Sequence, residues 1–190
     1  EKSIAIVEDV LNDFNKEIVK ALNENQCNSQ SITNKRNNIL VVDQENKDLG
    51  FVGIPKEINL LIIQQIIKEK KVPVIAPLGL DKNNQVYNVN ADTAAGAIAK
   101  KLKARRLIIM SDVEGVLNKN KELISEIDTK KVNHFIKNET ISGGMIPKIK
   151  NCLDVANNGV KGVVIIDGRK NHSILFELLS DKGSGTLIRS

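Results

Sequence analysis

Strand-like apolar runs alternating with helix-patterned segments restrict this chain more than any other feature. Residues 72–78 are almost continuously apolar, and 106–110 and 163–166 read the same way, as strands covered on both faces. Helical spacing occupies residues 92–102, 129–137, 147–157 and 172–179. On 147–157, Ile149, Cys152, Leu153 and Ala156 share one side. Short strands are expected at 86–89, 121–127 and 185–188, with a turn at 81–85. This order predicts an α/β fold, a three-layer αβα sandwich with a mainly parallel open sheet.

The upstream pattern is different. Ile4, Val7, Val10, Leu11, Phe14, Ile18 and Leu22 predict an amphipathic helix over 4–23, with Lys16, Glu17 and Lys20 outward. Residues 23–38 are rich in Asn, Ser and Gln and are expected to be largely loop. Residues 39–42 and 49–53 flank a turn-like 43–48, which predicts a hairpin. Pro55 is placed to open a helix running to about residue 70, with Ile58, Leu61, Ile62, Ile66 and Ile67 on its apolar face. Two lobes on one continuous sheet are expected, 1–70 and 71–190.

Composition matters here mainly for what it excludes. Charged residues at 27% and apolar residues at 41% argue against disorder. No apolar run approaches the roughly 18 residues of a membrane-crossing helix. The start, Glu1-Lys2-Ser3-Ile4, lacks the basic-then-apolar layout of a signal peptide, so a cytoplasmic site or a plastid stroma is expected. It also lacks an initiator Met, which points to a processed product or a fragment. Cys27 and Cys152 lie far apart and only two histidines are present, which argues against a zinc site; no metal ligand is assigned. The formal charge of +5 is scattered and aromatics make up 3%, so small anions are favoured as ligands over nucleic acid.

Three stretches carry the chemistry, and each has a plain alternative. Asn88-Val89-Asn90-Ala91-Asp92 ends a strand ahead of a helix; Asp92 is either a cap or, with Asn88 and Asn90 beside it, part of a site. Ser111-Asp112-Val113-Glu114-Gly115-Val116 is either a polar strand end or a loop for ribose or phosphate. It matches neither GxxxxGK[ST] nor GxGxxG. Ser142-Gly143-Gly144 allows close backbone approach, and the following helix, with Pro147 and Lys148 in its first turn, suits an anion. The alternative is a glycine loop beside a surface lysine. In open α/β sheets, ligands gather at such strand-end loops.

Together with Asp48-Leu49-Gly50-Phe51-Val52-Gly53, Val72-Pro73-Val74-Ile75-Ala76-Pro77 and Ile166-Asp167-Gly168-Arg169, these stretches resemble the amino acid kinase family, and within it the acetylglutamate kinases. The resemblance implies transfer of the γ-phosphoryl of ATP to the γ-carboxylate of N-acetyl-L-glutamate, in arginine biosynthesis. Lys148 matches the lysine that stabilises the transferring phosphoryl, and Asp92 the aspartate that orients the catalytic lysines. Asn88 matches the amide that holds the acylamino acid, supported by Asn90. Residues 112–117 and 140–142 match nucleotide-binding segments, so Ser111, Asp112, Gly115, Thr140, Ser142, Gly143 and Gly144 are assigned to ATP. Mg2+ is expected to arrive with ATP, held mainly by its phosphates.

The resemblance also implies parts that this chain does not carry. The family begins with a strand bearing a second catalytic lysine and Gly-Gly loops, followed by an arginine for the substrate carboxylate. All of these fall ahead of Glu1, so little turnover is expected of the 190 residues alone. His172, Glu177, Gly183 and Gly185 resemble the segment that binds L-arginine in feedback-inhibited members. A homo-oligomer is expected, with no nucleic acid or membrane partner. Two other functions remain open: a non-catalytic nucleotide- or arginine-binding regulatory module, and an amino acid kinase with a different acceptor.

Overall fold

The computed structural model describes residues 2–190, which divide by their internal contacts at Ala97/Ile98 rather than near residue 70. That boundary falls within one helix. The first unit holds α1 (Lys2–Glu24), β1 (Ser29–Ile32), β2 (Leu40–Gln44), β3 (Val52–Ile58), α2 (Leu60–Lys68), β4 (Val72–Ile75), β5 (Leu78–Leu80) and β6 (Val86–Val89). α3 (Ala91–Leu102) runs from it into the second. The second unit holds β7 (Leu107–Ser111), β8 (Glu126–Asp128), α4 (Thr129–Lys137), α5 (Met145–Asn157), β9 (Val163–Asp167), α6 (Ser173–Leu179) and β10 (Thr186–Arg189).

In the first unit β1 pairs parallel with β4, and β2, β3, β6 and β5 close into a small barrel. The loop expected over 23–38 therefore contains a strand. Ser29-Gln30-Ser31-Ile32 gives no apolar pattern, and its strand state comes from pairing with β4, residue for residue from Ser29↔Val72 to Ile32↔Ile75. The expected run 72–78 breaks into β4 and β5, and Val72 is exposed. The hairpin is present, but its second strand continues to Ile58. Pro55 thus lies inside β3 instead of opening a helix. The register slips between Val41 and Val42, opposite Pro55, and an irregularity of that kind accommodates a residue with no N–H. α2 starts at Leu60, where the Asn59 side chain accepts the N–H of Leu61. Its buried residues are Ile63 and Ile66, whereas Leu61 and Ile67 face out.

α1 forms as expected, and Ile4, Val7, Leu11, Ile18 and Leu22 of its apolar face are half-buried, but two of the seven apolar positions face out. Val10 and Phe14 are exposed, and Asn12 and Asn15 are buried. Asn12 donates to the carbonyl of Glu8 at 2.8 Å and to Asn34 Oδ1 at 3.2 Å. Asn15 Nδ2 donates to the Val74 carbonyl of β4 at 2.9 Å, so it is this amide that satisfies a strand backbone group.

The second unit is a four-stranded sheet in the order β7-β9-β10-β8. β7 runs parallel to β9, in register from Leu107↔Val163 to Ser111↔Asp167, and β10 is antiparallel to β9. Every residue of β9 is buried. One face is covered by α5 through Ile149, Cys152, Val155 and Ala156, which join Ile109, Ile127, Val163, Ile165 and Ile188 in a single core. Burial of a large aliphatic side chain contributes about 1.5–3 kcal/mol, so this apolar ladder dominates the unit's stability. Among the described residues no helix is long and apolar enough to cross a membrane.

Candidate functional site

The β6–α3 junction is held from both sides. Asn88 pairs with Val52 of β3 and Leu78 of β5, and its N–H donates to the carbonyl of Phe51 at 2.9 Å. Tyr87 and Val89 are buried, so strand alternation puts Asn88 and Asn90 on the other face. Gly53 is required here: a Cβ would stand 2.8 Å from that of Tyr87. Asp92 is not the cap. Asn90 fills that role, accepting the N–H of Thr93 at 3.1 Å. Asp92 lies in the first turn of α3, half-buried, where the positive end of the helix dipole favours a carboxylate.

In the second unit the parallel register delivers the loops after β7 and β9 to one edge. Ser111 Oγ donates to Asp112 Oδ1 at 3.3 Å. Gly115 has φ +142°, and a Cβ would come within 2.5 Å of Thr186 Oγ1. That hydroxyl accepts the N–H of Val116 at 2.8 Å and donates to the carbonyl of Ile124 at 2.7 Å, so the loop is fastened to β10. Gly115 is there for space and backbone conformation.

Residues 138–144 connect α4 to α5, whose first residues include Pro147 and Lys148. The N–H of Thr140 donates to Asn138 Oδ1 at 3.1 Å, Ile141 is buried, and Ser142, Gly143 and Gly144 are exposed. Gly143 has φ +54°, and a Cβ on either glycine would meet nothing within 4 Å. The loop surface is therefore open to close approach. α5 begins at Met145, two residues before Pro147, and no side chain caps it. Pro147 sits in the first turn, where its missing N–H costs nothing. Lys148 follows, half-buried. The N–H groups of Met145 and Ile146 reach back to the Ser142 and Gly143 carbonyls at 3.2 Å each.

The C-terminal residues separate into two places. Glu177, 8% exposed, accepts the Ser184 N–H at 2.9 Å and lies 3.4 Å from Arg106 Nη1. It lines a cavity of about 560 Å³ together with Arg106, Glu126, Gly183, Gly185 and Arg189. A Cβ on Gly183 would fall 2.7 Å from Glu177 Oε2. His172 borders a different, apolar hollow of about 480 Å³ with Leu175, Phe176 and Leu179. It occupies the cap position of α6 at φ +63° and makes no side-chain cap bond.

One charged cluster lies in stretches that carry the resemblance, 166–169 and 111–116, but has no role assigned to its side chains. Asp167, 3% exposed at the end of β9, accepts from Arg169 through the backbone N–H, Nε and Nη2, all at 2.9 Å. These bonds hold the carboxyl down at about 2 and raise the guanidinium. Lys170 Nζ lies 2.6 Å from Glu114 Oε1. The available signal was an Asp and an Arg two residues apart directly after a fully apolar strand.

The amino acid kinase family profile matches residues 1–167. Acetylglutamate kinase of Pelagibacter ubique (strain HTCC1062) is 72% identical over 98% of the chain and 65% of its own length. That of Ruegeria pomeroyi (strain ATCC 700808 / DSM 15171 / DSS-3) is 43% identical over 98% of the chain and 66% of its own. The chain thus spans about two thirds of the length of these curated relatives. The crystal structure of smu.665 from Streptococcus mutans UA159 superposes with a TM-score of 0.84 at 30% identity, covering 100% of the chain and 72% of that one. With a profile match over most of its length, the chain belongs to the amino acid kinase family.

Proposed function

We propose that the protein carrying this chain transfers the γ-phosphoryl of ATP to the γ-carboxylate of N-acetyl-L-glutamate. The observation that carries the reading is the 72% identity to a protein named acetylglutamate kinase, extending through every stretch that bears the proposed site. The acceptor is already a nucleophile, because a carboxylate needs no base to attack phosphorus. One of its oxygens forms the new P–O bond while the bond to the departing ADP breaks, giving an acyl phosphate. The protein's task is then positioning and charge neutralisation.

Asn88, on the face of β6 away from its buried neighbours, is assigned to the acylamino acid, with Asn90 fixing the junction by its cap. Lys148 is assigned to the transferring phosphoryl, and Asp92 to orienting lysine side chains. Ser111, Asp112, Gly115, Thr140, Ser142, Gly143 and Gly144 are assigned to the nucleotide. The open space above Gly143 and Gly144 is what a phosphate chain needs to lie against backbone. Mg2+ is assigned to the phosphate oxygens; among the described residues no group of three or more His, Cys, Asp or Glu is placed to hold an ion. The same reading makes the protein a cytoplasmic homo-oligomer that responds to L-arginine through Glu177, Gly183, Gly185 and His172.

The test is release of ADP by the full-length protein supplied with ATP, Mg2+ and N-acetyl-L-glutamate, compared with its Lys148→Ala variant. Losing one charge-stabilising group is expected to lower kcat about 10²–10³-fold. Turnover on a different acyl acceptor but not on this one would overturn the substrate, and a Lys148→Ala enzyme of normal kcat would overturn the mechanism.

A further inference from the structure

Four charged side chains lie at the shared carboxyl edge of β7 and β9, and only Glu114 among them falls within the 112–117 segment matched to the nucleotide. We propose that Asp167, Arg169, Lys170 and Glu114 form a brace that positions the loop 111–117 for the nucleotide; this rests on the phosphoryl-transfer reading above.

The geometry is built in two links. The first is anchored in the core. Asp167 ends a strand whose every residue is buried, a place where a lone carboxylate would be strongly disfavoured. Arg169 compensates it with two side-chain bonds and one backbone bond, all 2.9 Å, which fixes the chain direction just past β9. The second link leaves this fixed turn for the neighbouring loop. The N–H of Gly168 donates to the carbonyl of Ser111 at 2.8 Å, and Lys170 reaches Glu114 at 2.6 Å. The carboxylates of Asp112 and Glu114 also act on the Arg169 guanidinium. Gly168 and Lys170 therefore meet the loop after β7 at Ser111 and at Glu114, with the Arg169 guanidinium between them in the field of the loop's carboxylates. On its far side the same loop is fastened to β10 through Gly115, Val116 and Thr186.

A strand end needs no such investment merely to stop; a glycine or an exposed polar residue suffices. Of the four only Asp167 is buried, and three bonds from Arg169 converging on that one carboxylate make the turn rigid and directional, as a nucleotide loop requires before the ligand arrives. Asp167 and Arg169 are positioning residues here, acting through the loop.

The experiment compares the full-length wild type with Lys170→Ala, Glu114→Ala, their double variant, Arg169→Ala and Arg169→Lys. ATP and acceptor KM, kcat, melting temperature and MgADP affinity by calorimetry are measured for each. Breaking the Lys170–Glu114 link is expected to raise the ATP KM and MgADP Kd about five-fold, the upper worth of a partly exposed ion pair. The acceptor KM is expected to stay within error, and the double variant to be no worse than either single one. Arg169→Ala is expected to have the larger effect and Arg169→Lys to recover part of it. The brace is overturned if MgADP affinity is unchanged in all variants, or if MgADP affinity, acceptor affinity and kcat are all lost in step with the melting temperature. Normal MgADP binding without turnover on N-acetyl-L-glutamate sinks the acceptor reading and leaves the brace to be judged by calorimetry. A wild type that binds no MgADP sinks both.

Discussion

The side chain of Asn15 joins α1 to two strands at once: Nδ2 donates to the carbonyl of Val74 at 2.9 Å, fifty-nine residues away. Its Oδ1 accepts from Ser31 Oγ at 2.5 Å. Asn15 is 3% exposed, so water cannot replace either bond. Asn15→Ala should therefore cost about 1–3 kcal/mol, the worth of buried groups left unpaired. Phe14→Ala, one residue earlier and 56% exposed, should stay within about 0.5 kcal/mol. Urea unfolding of the two variants checks the pair; the reverse order would mean that the helix buries the other face.

Two glycines separate crowding from backbone strain. A Cβ at Gly185 would fall on the carbonyl oxygen of Ile165, within the β9·β10 ladder. Gly185→Ala must push β10 aside, and a loss of about 3 kcal/mol is expected. Gly143 is left-handed at φ +54° but faces open space. Gly143→Ala should then cost only about 1 kcal/mol, the penalty of that conformation for an L residue. Thermal melts resolve the difference, and equal losses would count against the close packing at Gly185.

Much of the second unit was legible because β7 and β9 are nearly continuous apolar runs and α4 and α5 carry helical spacing, so β9, α5 and α4 emerge within a residue or two of expectation. Less of the first was. β1 exists by pairing with β4, a long-range fact that Ser29-Gln30-Ser31 does not encode locally. Pro55 looked like a helix start because proline favours that position, yet a register irregularity made room for it in a strand. The apolar spacing of α1 gave its packed side except at Val10 and Phe14, but not the amides Asn12 and Asn15 that are buried among those side chains. In the site, the three strand-end stretches were visible because glycines and amides cluster beside apolar runs. The role of Asn90 as cap in place of Asp92 needed coordinates, since both residue types cap equally well. The separation of His172 from Glu177 also depends on the turn at α6, where His172 adopts φ +63°.

Acid should expose the Asp167–Arg169 pair. The carboxyl is held at about 2 against an ordinary 3.8, first by the Arg169 side chain and then by its backbone N–H. A folded-state value below the unfolded one means that stability is fully present above about pH 4. It is lost progressively as pH falls toward about 2. Asp167→Asn removes this dependence. Melting temperatures measured from pH 7 to pH 2 should show the wild type falling more steeply than the variant below pH 4. The variant should start lower at neutral pH, because an amide cannot accept both guanidinium bonds as an anion. Parallel curves would mean that Asp167 is not held as a carboxylate in the folded chain.

The proposed response to L-arginine makes a prediction that the geometry divides unequally between its residues. Glu177 presents a carboxylate to a cavity of about 560 Å³, steadied by the Ser184 N–H, and a guanidinium ligand would find there the charge that Arg106 already approaches. His172 borders the separate apolar hollow. Calorimetric titration of L-arginine into the full-length protein should give a saturable heat. Glu177→Ala should weaken binding by at least ten-fold, the loss of one charge-assisted bond of about 1.5–3 kcal/mol. His172→Ala should weaken it by less. Absence of heat in the wild type, or identical affinity in both variants, would remove this segment from any feedback role. A larger loss for His172→Ala than for Glu177→Ala would move the ligand out of the charged cavity and into the apolar hollow.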